Sequence, residues 1–198
     1  MDDNQDGDGR GGRRRPARPL RVYAPREPRP IDAAQLQEMA LGYAARYATT
    51  AAKLRQYLAR KLRERTWTPA EPPDIEGLSA RIVALGYVND RAYAASKTRD
   101  LTARGFGQQR VRSTLSAAGV SRDDVAAEAV EASPFVAALA FARRRRLGPF
   151  GRDGSPADPA VKRRQLAAMA RAGHGFDVAR RVIEARNEAA AEALVEGD

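Results

Sequence analysis

The chain has 198 residues, 35 Lys plus Arg against 25 Asp plus Glu, a formal net charge of +10, one His and no Cys. That length holds one or two small domains, and the lack of cysteine excludes a disulfide framework, a thiolate nucleophile and a zinc ribbon, leaving secretion unsupported. Neither an apolar leader nor a run approaching the roughly 18 apolar residues of a membrane span is present, so the expectation is a cytoplasmic protein with no membrane partner.

A surplus of positive charge attracts polyanions, and nucleic acid is the commonest polyanion in a cytoplasm. Composition offers a competing explanation. Only Lys53, Lys61, Lys97 and Lys162 are lysine, and a chain heavy in alanine and arginine is what codon drift in a GC-rich genome produces. Residues 1–30 hold glycines, prolines such as Pro16, Pro19 and Pro25, and arginines, with no apolar period. They read as a disordered basic tail, either adding non-specific phosphate affinity or simply solvated.

From Ile31 the pattern turns helical. Asp32 with Gln35 forms a capping box ahead of Leu36, Met39, Tyr43 and Tyr47, which predicts a helix near 33–48. Thr49 or Thr50 caps a second helix with Ala51, Leu54, Leu58 and Leu62 on one stripe. A connector with Trp67, Pro69, Pro72 and Pro73 follows, and Ile75, Leu78, Ile82 and Leu85 predict a third helix ended by Gly86. The round then repeats. Asn89 caps a helix through Tyr93 and Leu101 to Arg104; Gly105 and Gly107 precede a helix with Val111 and Leu115 ended by Gly119; and Ser121 with Asp124 opens a shorter one with Val125, Ala129 and Val130 facing inward.

Ser133-Pro134 starts a third round with Phe135, Ala138, Leu139 and Ala142 inside, running into Arg143–Arg146 and stopped by Gly148 and Pro149. Asp158-Pro159 opens the next helix, with Leu166, Met169 and Ala170, to Gly173; Phe176, Ala179, Val182 and Ile183 mark a ninth. Aligning the middle helices places Leu58, Leu115 and Met169 at one shared core position. No strand pattern is found, so the expected fold is all-α, three tandem three-helix modules forming an elongated, curved array whose neighbours share core. The expected divisions are the tail 1–30, modules at 31–86, 87–132 and 133–187, and a fraying acidic end at 188–198.

Catalysis needs convergent groups, and the sequence offers none: one imidazole, His174, no phosphate-binding glycine loop, and no metal-ligand spacing. No catalytic residue, cofactor or metal is therefore expected. His174, in a helix-to-helix turn, reads as capping carbonyls or packing at a surface, and Trp67 as covering the edge of a bundle rather than stacking on a base.

Basic faces remain as the binding surface. Lys53, Arg60 and Arg63 line the second helix opposite its leucines, although a solvated face explains that stripe almost equally well. Arg104, Arg110 and Arg112 bracket a helix start whose free amide groups favour anions. Arg143, Arg144, Arg145 and Arg146, with Lys162, Arg163 and Arg164, form the densest clusters, on consecutive helices expected to meet on one surface.

The string Gly86-Tyr87-Val88-Asn89-Asp90-Arg91-Ala92-Tyr93-Ala94 resembles the turn-and-helix signature of the RecX regulatory proteins. Arg104-Gly105-Phe106-Gly107-Gln108-Gln109-Arg110-Val111 resembles that family's second-module entry, and Arg163-Arg164-Gln165-Leu166 through Phe176-Asp177-Val178-Ala179 its last module. The resemblance spans residues 36–186. It implies a monomeric regulator of the RecA recombinase that lies along the RecA filament on single-stranded DNA. Such a regulator hinders ATP hydrolysis, strand exchange and filament extension, and so tunes recombinational repair and the SOS response. Two other readings stay open: an independent binder of single- or double-stranded DNA using a helix-turn-helix-like module and the tail, and a helical scaffold that meets only proteins.

Overall fold

The computed structural model describes residues 28–130, 133–152, 154, 156 and 158–197. The expected tail falls outside the described residues up to position 27, as do the Ala129 and Val130 side chains and Asp198. The described chain is dominated by helices: α1 (Ala33–Arg46), α2 (Ala51–Arg63), α3 (Ile75–Ala84), α4 (Asp90–Ala103), α5 (Gln108–Ala117), α6 (Arg122–Val130), α7 (Pro134–Arg145), α8 (Pro159–Arg171), α9 (Phe176–Ile183) and α10 (Glu188–Glu192).

Local chemistry sets the ends of these helices. The Asp32 carboxylate accepts from the Gln35 amide at 2.8 Å while the Gln35 side chain accepts from the Asp32 amide at 3.2 Å, which completes the expected capping box. Thr50, not Thr49, caps α2. Asn89, Ser133 and Asp158 cap α4, α7 and α8 as their residue types require. At α6 the aspartate proves too short to reach back to the main chain: the Ser121 hydroxyl donates to the Asp124 carboxylate at 2.8 Å while accepting from the Asp124 amide. At the other end of α3, the Gly86 amide donates to Val83 and the Tyr87 amide to Ile82, closing the helix with paired reverse bonds. Helix α7 stops two residues before the expected Gly148, because Arg146 itself enters the left-handed region at φ 54°.

Two short strands correct the expectation of none. Arg29–Ile31 (β1) pairs in parallel with Arg65–Trp67 (β2). Three residues are too few to show an alternating pattern, and the arginines and Pro30 hid them in what reads as tail and connector. Ile31 is nonetheless fully buried, and Trp67 packs on the same core with its indole N–H donating to the Glu71 carbonyl at 2.7 Å.

Three apolar clusters form. Leu36, Leu54, Leu58, Leu78 and Ile82 anchor the first, joined by Val88 from beyond α3. Leu101, Val111, Leu115 and Val120 anchor the second. Phe135, Leu139, Met169, Val182 and Ile183 anchor the third, together with Ala191 of α10. Leu58, Leu115 and Met169, the aligned middle-helix positions, are each completely buried. Each such side chain contributes roughly 1.5–3 kcal/mol by leaving water.

Several apolar assignments change. Leu85 and Phe176 are 69% and 67% exposed, since each lies at a helix end beyond the reach of its core, and Ala170 is exposed as well. The acidic end is no fray. Asn187 caps α10, Ala191 is fully buried, and Leu194 and Val195 pack against the third cluster.

The cores are separate, so neighbouring modules do not share one as expected. They join through helix ends and, between the second and third, through the packing of α4 against α7. The Gly107 amide, at the start of α5, donates to the Ala172 carbonyl at the end of α8 at 2.9 Å, and the Gln109 amide donates to the Gly173 carbonyl at 3.1 Å. In the same way Thr50 at the start of α2 donates its hydroxyl to the Ala118 carbonyl at the end of α5 at 2.5 Å, and Asp90 accepts from the Ala51 amide at 2.8 Å. The middle helix of each module thus abuts the middle helix of the next, positive end to negative end.

Candidate nucleic-acid interface

The basic residues divide by what their helices do to them. Lys53 is removed from the solvent stripe: its ammonium donates to the Tyr93 hydroxyl at 2.6 Å and sits 4.7 Å from that ring's centroid, tying α2 to α4. Arg60 and Arg63 remain exposed on the last turn of α2, with Arg60 over the Tyr57 ring and 3.9 Å from Glu64. Glu64 is held below the usual carboxylate range chiefly by its hydrogen bond from Lys61.

The anion site expected at the start of α5 is not open. The Gly107 and Gln109 amides already donate to the end of α8, so Arg110 and Arg112 project from a helix terminus with these two donors occupied. The packing there depends on glycine: a Cβ at Gly107 would overlap the Gly173 and His174 backbone, and one at Gly173, where φ is 93°, would lie 2.5 Å from the Arg110 nitrogen.

Arginines gather at this joint. Arg144 donates to the Arg104 carbonyl at 2.6 Å and lies over Phe141, while the Arg104 guanidinium lies 5.5 Å from the Phe106 centroid. Arg143 pairs with Glu192 of α10 and covers Phe150, and Lys162 pairs with Glu184. Arg145, Arg146, Arg163 and Arg164 stay exposed, with no ion pair among the described residues. The Gly148 amide donates to the Gln165 side chain at 2.8 Å, linking the end of α7 to the helix that carries Lys162–Arg164.

His174 is buried rather than at a surface, with Nε2 3.2 Å from the Gly105 carbonyl and its ring against Phe141. Burial pushes its imidazole below the ordinary value, and the carbonyl contact opposes that shift. The histidine is a polar fastener in the joint between the second and third cores. Among the described residues no group of three His, Cys, Asp or Glu could hold a metal ion, and no helix is long and apolar enough to cross a membrane.

Sequence reasoning missed the tyrosines. Tyr43, Tyr47 and Tyr93 read as members of apolar stripes, yet Tyr47 is 58% and Tyr87 56% exposed. Tyr43 stacks on Tyr57 with centroids 4.2 Å apart and meets Tyr47 at 5.2 Å. A cleft of about 700 Å³ between α1 and α2 and another of about 570 Å³ towards α4 share the wall Arg46–Thr49. The i, i+4 pair Tyr43 and Tyr47, on either side of Arg46, was the available signal.

Residues 89–127, covering α4, α5 and the start of α6, match the family model described as RecX, second three-helix domain. The fold is similar to the crystal structure of RecX from Lactobacillus salivarius, with a TM-score of 0.60 and 15% identity over 74% of this chain and 90% of that one. A second structure, of regulatory protein RecX, has a TM-score of 0.58 and 18% identity over 76% of this chain and 72% of that one. No curated protein sequence matches the chain. The domain match and the shared fold support the RecX resemblance seen in the sequence strings.

Proposed function

We propose that this protein is a RecX-type regulator that binds RecA and its filament on single-stranded DNA and restrains ATP hydrolysis, strand exchange and filament extension, thereby tuning recombinational repair and the SOS response. The observation that carries this reading is the second-domain match at residues 89–127 within a chain whose fold follows RecX over three quarters of its length. The protein acts in the cytoplasm as a monomer, without catalysis or cofactor. Its modules lie in a curved row along the filament, meeting acidic RecA surface or DNA through Arg63, Arg110, Arg112, Arg145, Arg146, Arg163 and Arg164, each exposed and without an ion pair among the described residues.

Weak contacts repeated along one chain gain effective concentration, so no single dominant site is required. Joined helix ends favour this mechanism, because the gain depends on a spacing between modules that matches the spacing of the target. Co-sedimentation tests it directly: the protein should pellet with RecA filaments on single-stranded DNA far more than with the same DNA alone. Equal pelleting with bare DNA would contradict the reading and favour an independent DNA-binding protein. Replacing Arg145, Arg163 and Arg164 with Ala should weaken filament retention severalfold and flatten its salt dependence without loss of helicity.

A further inference from the structure

All five described tyrosines, Tyr43, Tyr47, Tyr57, Tyr87 and Tyr93, line the two clefts flanking Arg46–Thr49, although they come from α1, the residue that caps its end, α2, α4 and the turn before α4. Two of them, Tyr47 and Tyr87, expose more than half of their surface and so contribute little to any core. The cations at these clefts are Arg46, Lys53, Arg60 and Lys97, against the acids Glu38 and Asp100. Lys97 lies 3.9 Å from Asp100, whereas the Arg46 side chain is exposed and has no ion pair among the described residues. Thr49, common to both clefts and 6% exposed, has a buried hydroxyl with no hydrogen-bond partner.

Exposed ring faces interleaved with cations are the chemistry by which a protein holds a nucleic-acid strand whose bases are unpaired. The cations follow the phosphates, and each base offers a π-face to an aromatic ring whatever its identity. We infer that this tyrosine-lined groove of the first module binds single-stranded DNA, with bases stacking on Tyr47 and Tyr87 and Arg46 meeting the phosphate between them. The inference rests on the proposed function, which supplies the single strand, and assigns that strand to a surface away from the arginine clusters of the second and third modules.

Fluorescence anisotropy of a labelled oligothymidylate, beside an abasic strand of equal length, tests the assignment. The parent should prefer the oligothymidylate. Tyr47→Ala with Tyr87→Ala should lose about tenfold or more in affinity for it, keep the parent's thermal unfolding, and bind both strands alike. Tyr47→Phe with Tyr87→Phe should bind as the parent does, because the ring faces remain. The assignment is overturned if the parent fails to bind oligothymidylate at low salt, or if the alanine variant binds it unchanged. An alanine variant that binds DNA unchanged yet no longer restrains RecA also overturns it, since the groove then meets protein. Loss of oligothymidylate binding in that variant, from a parent that leaves RecA unaffected, upholds the groove and removes the proposed function instead.

Discussion

At the scale of single residues, His174 shows how one polar side chain serves a joint. Its Nε2 lies 3.2 Å from the Gly105 carbonyl, two residues before Gly107, the N-cap of the helix whose start meets the Gly173 carbonyl. Burial holds its imidazole below the ordinary value of about 6.5. Between that lowered value and 6.5 the unfolded chain binds a proton that the folded chain does not, so acid favours unfolding. Denaturant unfolding should therefore show stability that is level above about pH 7 and declines as the pH falls through 6.5 towards the folded value. His174→Gln should lose most of that decline; an identical decline in the variant would place its source elsewhere.

The other informative residues are those whose types misled. Lys53 reads from its helical position as part of a solvent stripe, and the stripe itself is correct. Its cation is nevertheless taken by Tyr93, forty residues away, a contact that no local period contains. Arg144 is likewise engaged by the Arg104 carbonyl. Long side chains reach partners that their own helix does not specify.

At the scale of elements, helix starts were legible because a cap is a local event: Asp32, Thr50, Asn89, Ser133 and Asp158 each bond an amide two or three residues on. The strands and α10 were not legible, since three and five residues carry no period and their formation depends on contacts with distant segments. The joints were hidden for the same reason. Gly107 and Gly173 read as helix breakers, and only the fold shows that their bareness lets two helix ends meet. Of the candidate surface, the exposed arginines could be read from sequence, while the tyrosine clefts required α1, α2 and α4 to be placed side by side.

The first joint makes a specific prediction. Thr50 caps α2 through the Lys53 amide and also donates to the Ala118 carbonyl, so Thr50→Ala removes a cap and an inter-module bond together. A loss of about 1–3 kcal/mol is expected, with Thr50→Ser recovering most of it. Amide hydrogen exchange should quicken at the end of α5 as well as the start of α2. Faster exchange confined to α2 would mean that the hydroxyl acts only as a cap.

At the scale of the whole molecule, the end of α8 meets the start of α5, and the end of α5 meets the start of α2. Each contact lets terminal carbonyls satisfy terminal donors that would otherwise need water or side chains. The three clusters are therefore coupled by backbone and cap contacts at helix ends, with α4 packed on α7 at the second joint. Such coupling maintains their spacing without a large shared apolar face, and it leaves the exposed arginines and tyrosines free for partners. The proposed binding to a regular filament draws on that combination, because repeated weak contacts add only when their spacing matches the target.

The most direct test of this account is the single-stranded-DNA-dependent ATP hydrolysis of RecA, titrated with this protein at fixed salt and with DNA in excess so that sequestration of DNA is controlled. The account predicts dose-dependent inhibition at substoichiometric protein. Unchanged hydrolysis, despite tight binding to bare DNA, would contradict it.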